Sequence, residues 1–258
     1  MKRALLAAAL SLIAVPAGAQ SSDSYPYKLY QAGQYDAAIR AGIAAGDADG
    51  YTQAAHAVLA KTRIAGTPCL ACLQTAESYE RKAIALDPTL PAPRVYLSAT
   101  LGYESRIIGL VQAKLKGYAG EAKSNLDVAY KNHPDDGYTL AALGGWNLGV
   151  VNGGGAFLAD MMYGATTDKG ISFYEKAFKA EPDNIVIRFQ YALSLSALDH
   201  DKYGHAIEDS LAFAVNGHPH TAFEKYMQGE AKDLLALWQR HDWPDYQKQM
   251  RKIQGYPD

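Results

Sequence analysis

The sequence contains few of the residues that carry covalent or redox chemistry. Of its 258 residues, only Cys69 and Cys72 are cysteines. Two cysteines do not make a structural zinc site, which needs four ligands, and Leu73 stands where the covalent haem motif requires histidine. We find no serine nucleophile elbow and no pair of acids at a recognisable catalytic spacing. The sequence therefore predicts no enzymatic activity, no metal site and no cofactor.

The sequence also lacks an excess of either charge. It has 25 basic and 27 acidic residues, with a formal net charge of −2 at pH 7. Binding by charge to nucleic acid or to an anionic membrane surface requires a basic excess, so neither is an expected partner. The 18 tyrosines outnumber the 6 phenylalanines. This ratio suits helix interfaces and grooves, where aromatic rings are half buried.

One uncharged apolar run is present, at the N-terminus. Two basic residues precede Ala4 to Val15, and a small-residue site follows at residues 17–19. This order is typical of a secretory signal peptide, and the run is too short to cross a bilayer. We predict a signal peptide at residues 1–19, cleaved after Ala19, and a single exported, periplasmic domain at residues 20–258 without a membrane span.

The two cysteines lie three residues apart at the predicted start of a helix. In an oxidising compartment, Cys69 and Cys72 are expected to form a local structural disulfide. The alternative is a redox-active pair, because a helix N-terminus lowers the pKa of a thiol. The surrounding sequence has no strand–helix–strand pattern, so we favour the structural disulfide.

An alanine five residues before a proline closes four segments of helical periodicity. The pairs are Ala83 with Pro88, Ala129 with Pro134, Ala177 with Pro182, and Ala214 with Pro219. Such a recurrence indicates repeated helix pairs. The third and fourth units are longer than the others because they contain inserted segments, Ser105–Gly117 and Val150–Gly170.

The periodicity predicts an all-α fold of five helix pairs followed by a C-terminal capping segment. The predicted units are residues 23–47, 50–88, 90–134, 137–182 and 185–219, with the cap at 221–258. In each pair, a first helix is followed by a returning helix that ends near the proline. Proline ends a helix because it lacks an N–H group and its ring clashes with the preceding turn.

Four segments resemble the tetratricopeptide repeat family. They are GQYDAAI (Gly33–Ile39), AESYERKAIALDP (Ala76–Pro88), AKSNLDVAYKNHP (Ala122–Pro134) and ISFYEKAFKAEP (Ile171–Pro182). The chain looks most similar to the divergent exported members that accompany TRAP-type solute transporters. The resemblance implies a solenoid of helical hairpins, here with two inserted helical segments and a capping helix, and a function in binding proteins.

The second insertion is the best candidate for a functional site. Asn152 precedes three glycines, and Phe157, Met161 and Met162 then share one face of a helix. Methionine side chains adapt to irregular apolar partners. The alternative is a lid helix that packs on the protein's own core.

Two functional hypotheses follow, with thiol redox chemistry as a third. The first is a non-enzymatic scaffold whose concave side binds an envelope protein or peptide. The second is a periplasmic carrier or adaptor in which the insertions enclose a small apolar or amphipathic solute. The candidate binding residues are Tyr103, Trp146, Asn152, Phe157, Met161, Met162 and Tyr163.

Overall fold

The computed structural model describes residues 24–257 and shows an all-helical fold, with no strand in that range. The signal peptide predicted at residues 1–19 lies outside the described residues. The helices are α1 (Tyr25–Gln31), α2 (Tyr35–Ala45), α3 (Ala48–Ala65), α4 (Leu70–Leu86), α5 (Pro91–Ile108), α6 (Leu110–Leu115), α7 (Tyr118–Asn132), α8 (Gly137–Gly154), α9 (Ala156–Tyr163), α10 (Thr167–Ala180), α11 (Ile185–Asp199), α12 (Gly204–Asn216), α13 (Ala222–Gln239) and α14 (Trp243–Ile253).

Four helix pairs form the body of the molecule. Helix α3 packs against α4, α5 against α7, α8 against α10, and α11 against α12. The alanine that precedes each closing proline is buried in all four returning helices. Each returning helix ends two or three residues before its proline, as α4 does at Leu86 before Pro88. The small alanine side chain allows close helix packing, and the proline prevents further helix.

Glycine brings α8 and α10 into close contact. A Cβ atom added to Gly144 would lie 2.6 Å from Cδ2 of Tyr174 and 3.0 Å from the carbonyl oxygen of Gly170. The first atom belongs to the buried ring of Tyr174 and the second to the backbone of α10, so neither can move aside easily. The crossing of these two helices therefore requires a residue without a side chain at position 144.

The first helices contact one another in succession and return to the start of the chain. Helices α3, α5, α8, α11 and α13 form this row, and α13 also contacts α1. Arg63 of α3 donates to Glu230 of α13 at 2.6 Å, and both side chains are largely buried. The row of first helices therefore closes into a ring, whereas the repeat pattern predicted an open stack with a capping segment at its end.

The C-terminal helix packs into this ring. Tyr246, Met250 and Ile253 of α14 are buried in the large core that also contains α11 and α13. The side chain of Gln254 then donates to the carbonyl of Leu193 in α11, and its own carbonyl accepts from Arg106 of α5. Helices α5 and α11 are separated by α8, so the end of the described chain bridges two first helices that are not neighbours.

No helix within residues 24–257 combines the length and the apolar character needed to cross a bilayer.

Candidate functional site

The inserted segments form two short helices at one edge of the ring. Helix α6 follows the first helix α5, and α9 follows the first helix α8. Because α5 and α8 are in contact, the segments that follow them emerge side by side. A Cβ atom added to Gly153, in the last turn of α8, would lie 3.6 Å from Cδ2 of Leu110 in α6. The two insertions therefore meet.

Glycines with positive φ bound both inserted helices. Gly109 (φ 83°) and Gly117 (φ 72°) flank α6, while Gly155 (φ 76°) and Gly164 (φ 63°) flank α9. Other residues rarely adopt these backbone angles, because their Cβ atom would clash with the backbone. The chain can thus change direction sharply at each end, which sets α6 and α9 apart from the long helices they follow.

Large apolar side chains on these two helices are exposed to solvent. Phe157 is 78% exposed, Leu115 77% and Val111 74%. The exposed set is Leu110, Val111 and Leu115 on α6 with Phe157, Leu158, Met161 and Met162 on α9. We call these seven side chains, on α6 and α9, the apolar platform. Clusters of exposed large apolar side chains are uncommon on soluble monomers and mark sites of interaction with a protein, membrane or ligand.

Trp146 of α8 joins the bases of the two inserted helices. Its ring packs against the buried cluster beneath α6, which includes Ala113, and against the cluster beneath α9, which includes Ala159. Its Nε1 donates to the carbonyl of Ala119 at 2.9 Å. The ring of Tyr163 meets it edge to face, with centroids 6.2 Å apart. Trp146 therefore holds the platform to the ring but does not form its outer surface.

Six of the seven candidate residues lie in or beside the platform. Trp146 and Tyr163 form its base; Phe157, Met161 and Met162 form its outer surface; Asn152 is exposed in the last turn of α8. Tyr103 lies elsewhere, with its ring against Gly255 and the guanidinium of Arg106. The carrier hypothesis expected these side chains to enclose a pocket, but the outer ones point into solvent instead.

Sequence reasoning missed Leu110, Val111 and Leu115 as members of this surface. The sequence predicts an insertion here, but it does not show whether the apolar residues of that insertion are buried or exposed. The available signal was the pair of glycines, Gly109 and Gly117, around a segment too short to bury both of its faces.

Charged side chains border the platform unevenly. Helix α6 carries Lys114 and Lys116 and no acidic residue. Lys116 lies in α6's C-terminal cap, where its Nζ is 3.3 Å from the hydroxyl of Tyr118. Helix α9 carries one charged residue, the exposed Asp160. The α6 side of the platform is therefore locally positive, although the whole chain is slightly acidic.

Two carboxyl groups are buried near the first insertion, Glu104 on α5 at its start and Glu80 on the neighbouring helix α4. Glu104 accepts from the hydroxyl of Tyr118 at 2.7 Å, a bond that ties together the two ends of the first insertion. Glu80 accepts from the hydroxyl of Thr100 at 2.8 Å. Burial raises the pKa of Glu104 and raises the pKa of Glu80 to about 8. A carboxylic acid is easier to bury when protonated, so Glu80 is largely neutral at pH 7.

Tyrosines also form an aromatic stack between α1, α3 and α5. The imidazole of His56 lies between two phenol rings, with centroid distances of 4.0 Å to Tyr30 and 4.5 Å to Tyr96. Burial lowers the pKa of His56 to about 3, so this imidazole is neutral at pH 7. The stack joins α1, α3 and α5 and explains part of the excess of tyrosine over phenylalanine.

Cys69 and Cys72 form a disulfide at the start of α4. The bond lies in the turn after α3, the position that corresponds to the insertions after α5 and α8. Cys69 also lines a small cavity with Tyr103 and Lys252. An adjoining cavity of about 460 Å³ lies among α3, α13 and α14. Its lining is rich in charged side chains: Arg63, Lys225, Glu230, Asp233 and Lys252.

No protein-family model matches this chain, and no curated protein matches its sequence. The likeness to tetratricopeptide repeats thus depends on the four sequence segments alone.

Proposed function

We propose that this protein is a non-enzymatic, exported binding scaffold of the bacterial envelope, built from tetratricopeptide-like helical hairpins. In this proposal the ring of first helices is the support, and the apolar platform is the binding surface. The observation that carries it is the exposure of seven large apolar side chains on two glycine-bounded helices that follow neighbouring first helices.

The energetics favour a partner for this surface. Removing one large apolar side chain from water stabilises a complex by about 1.5–3 kcal/mol. Several such side chains presented together can offset the cost of association, which includes lost rotational and translational freedom. The adaptable side chains of Met161 and Met162 suit a partner of irregular or changing shape.

The platform suits this role better than the concave side of the ring. Gln254 bridges two of the first helices, α5 and α11, and α14 buries its apolar face in the core with α11 and α13. A peptide bound along the first helices would have to displace these contacts. The platform needs no displacement, because its outer side chains are already exposed.

The proposal is tested by changing the platform without changing the core. The double variant Leu115→Gln/Phe157→Gln removes two of the most exposed apolar side chains, one from each inserted helix. Ile43→Gln/Leu86→Gln is the matched control, because these two are also exposed apolar residues but lie on α2 and α4. Both variants are expressed with the native N-terminal segment in a Gram-negative host.

We expect the wild-type protein and the control to sediment with the envelope fraction, and the platform variant to be recovered as soluble protein. Circular dichroism and thermal melting establish that each variant is folded. Equal retention of the platform variant and the wild type in the envelope fraction would refute the proposed function.

A second candidate function is favoured by the cavity among α3, α13 and α14. Its volume of about 460 Å³ is within the range of small-molecule sites, and its charged lining suits a polar solute. Native mass spectrometry of the purified protein tests this function. A carrier would retain a small polar molecule whose occupancy falls in Lys225→Gln/Lys252→Gln, whereas an empty wild-type protein in solute-rich extracts would argue against it.

A further inference from the structure

Resting on the proposed function, the partner of the apolar platform can be assigned a chemical class. We infer that the platform binds the surface of an anionic phospholipid bilayer, with the apolar side chains of α6 and α9 entering the interface and the lysines of α6 meeting the lipid phosphates.

The shape of the platform fits a lipid surface. Glycines at both ends of α6 and of α9 set these helices apart from the ring, and Phe157, Leu115 and Val111 are each more than 70% exposed. Side chains that protrude this far need a partner that yields around them. Lipid acyl chains do so, whereas a protein surface would need a matching cavity for each side chain to reach the packing density usual at interfaces.

The chemistry of the exposed side chains fits as well. All seven are Leu, Val, Phe or Met, and none can donate a conventional hydrogen bond. Protein interfaces typically carry about one hydrogen bond per 100–200 Å². The interior of a bilayer offers no hydrogen-bonding partner, so a surface made only of such side chains loses nothing on entering it.

The length of the helices places them in the interface and not across the membrane. Helix α6 has 6 residues and α9 has 8, which at 1.5 Å per residue is roughly 9 and 12 Å. A bilayer core is about 30 Å thick. Short helices with one apolar face lie in the plane of the headgroups, where their apolar side chains reach the start of the acyl chains.

The backbone at the ends of both helices is compatible with this position. The N–H groups of Gly117 and Gly164 are bonded to carbonyls of Lys114 and Asp160, at 3.1 Å and 2.8 Å. The N–H of Ala165 is bonded to the carbonyl of Ala159 at 3.2 Å. These N–H groups would otherwise be costly to remove from water, and their internal bonds lower the cost of insertion.

Charge distinguishes an anionic bilayer from a neutral one. Lys114 and Lys116 belong to the α6 side of the platform, where α6 itself carries no acidic residue and the nearby carboxyl group of Glu104 is buried. Their aliphatic stems can lie along apolar surface while the ammonium groups reach the phosphates. Basic groups next to inserted apolar side chains strengthen binding to anionic lipid and make it dependent on salt.

Vesicle co-sedimentation tests the inference with the purified mature domain. One set of vesicles is pure phosphatidylcholine, and the other contains phosphatidylglycerol. We expect at least tenfold tighter binding to the phosphatidylglycerol vesicles and at least a tenfold loss for Leu115→Gln/Phe157→Gln on them. The control Ile43→Gln/Leu86→Gln should bind as the wild type does, and Lys114→Gln/Lys116→Gln should lose several-fold affinity together with most of the salt dependence.

The outcomes separate this inference from the proposed function. The platform variant could be lost from the envelope fraction while the wild-type protein binds neither kind of vesicle. In that case the scaffold function is supported, its partner is a protein, and the lipid inference is overturned. Platform-dependent dimerisation in analytical ultracentrifugation, without vesicle binding, would overturn it in favour of a second copy. If the platform variant stays with the envelope, both proposals fail.

Discussion

The turn after α3 and the segments after α5 and α8 occupy the same place in successive helix pairs, but they differ completely in character. The first is a turn of a few residues, Gly66 to Cys69, that is closed by a disulfide to Cys72. The other two contain α6 and α9, which expose large apolar side chains. The packing of a helix pair therefore determines where its two helices meet, and leaves the connection between them free to carry function.

Apolar residues also differ in burial between the returning helices and the inserted helices. In the returning helices, Ala83, Ala129 and Ala177 are completely buried. In α9, the larger Phe157 and Met161 are mostly exposed, while Ala159 of the same helix is buried. Hydrophobic character alone does not separate scaffold from binding surface. The position of a residue relative to the neighbouring helices does.

The largest effect is expected where the scaffold has no free space. Gly144→Leu should lower the free energy of unfolding by about 3 kcal/mol or more, because the new side chain overlaps Tyr174 and the backbone of Gly170. The matched control is Gly149→Leu, in the same helix, where no atom lies within 4 Å of the added Cβ. Urea denaturation of both variants measures the difference. Equal stability would contradict the close packing of Gly144 against Tyr174 and Gly170.

A smaller and more local effect is expected at the base of the platform. Trp146→Ala should cost about 2 kcal/mol, less than a fully buried tryptophan, because the ring is only half buried. Hydrogen exchange should become faster in α6 and α9 and remain slow in α3 and α4. In Trp146→Phe, which keeps the apolar contact but loses the bond to Ala119, the cost should be about 1 kcal/mol. Uniform acceleration of exchange over the whole chain would mean that the platform is not a separate unit.

The buried carboxyl group of Glu80, between α4 and α5, predicts a stability that falls as the pH rises. Burial raises the pKa of Glu80 from 4.5 to about 8; the hydrogen bond from Thr100 and the charge of Arg81 oppose this shift, and the charges of Glu77 and Glu104 add to it. The folded state keeps a proton that the unfolded state has lost, so the stabilisation is fully present below pH 4.5 and disappears as the pH passes 8. Between pH 6.5 and 8 we expect a loss of about 2 kcal/mol.

Urea denaturation at the two pH values measures this loss, which Glu80→Gln should largely abolish. Glu175→Gln, on the exposed face of α10, is the matched control and should leave it unchanged. His56 acts in the opposite sense and below this window, because its lowered pKa removes stability as the pH falls under 6.5. A stability independent of pH between 6.5 and 8 would contradict the protonated state of Glu80.

The smallest effect is expected at the turn that has no insertion. Cys69→Ser/Cys72→Ser should cost only about 1 kcal/mol, because the disulfide closes a very short loop. Retention in the envelope fraction should not change, since the platform lies on other helices. A loss of retention without unfolding would instead favour the redox hypothesis for this pair.

The helix pairs could be predicted because their signals are local. Proline ends a helix wherever it occurs, and the alanine five residues earlier marks a close crossing, so both can be recognised from their spacing along the chain. The platform was predicted only in part, through Phe157, Met161 and Met162. The α6 residues Leu110, Val111 and Leu115 were not predicted to belong to it, because a sequence does not show whether an apolar residue is buried or exposed.

The amino-acid sequence by itself therefore determined the all-helical class, the pairing of neighbouring helices and the presence of two insertions. Only the tertiary structure decided that α13 returns to α3 through Arg63 and Glu230, that Gln254 bridges α5 and α11, and that the two insertions meet at one edge. Helix formation and termination depend on residues within a few turns of one another. Ring closure and the contact of α6 with the last turn of α8 depend on the summed angles between many packed helices, which no local spacing in the sequence records.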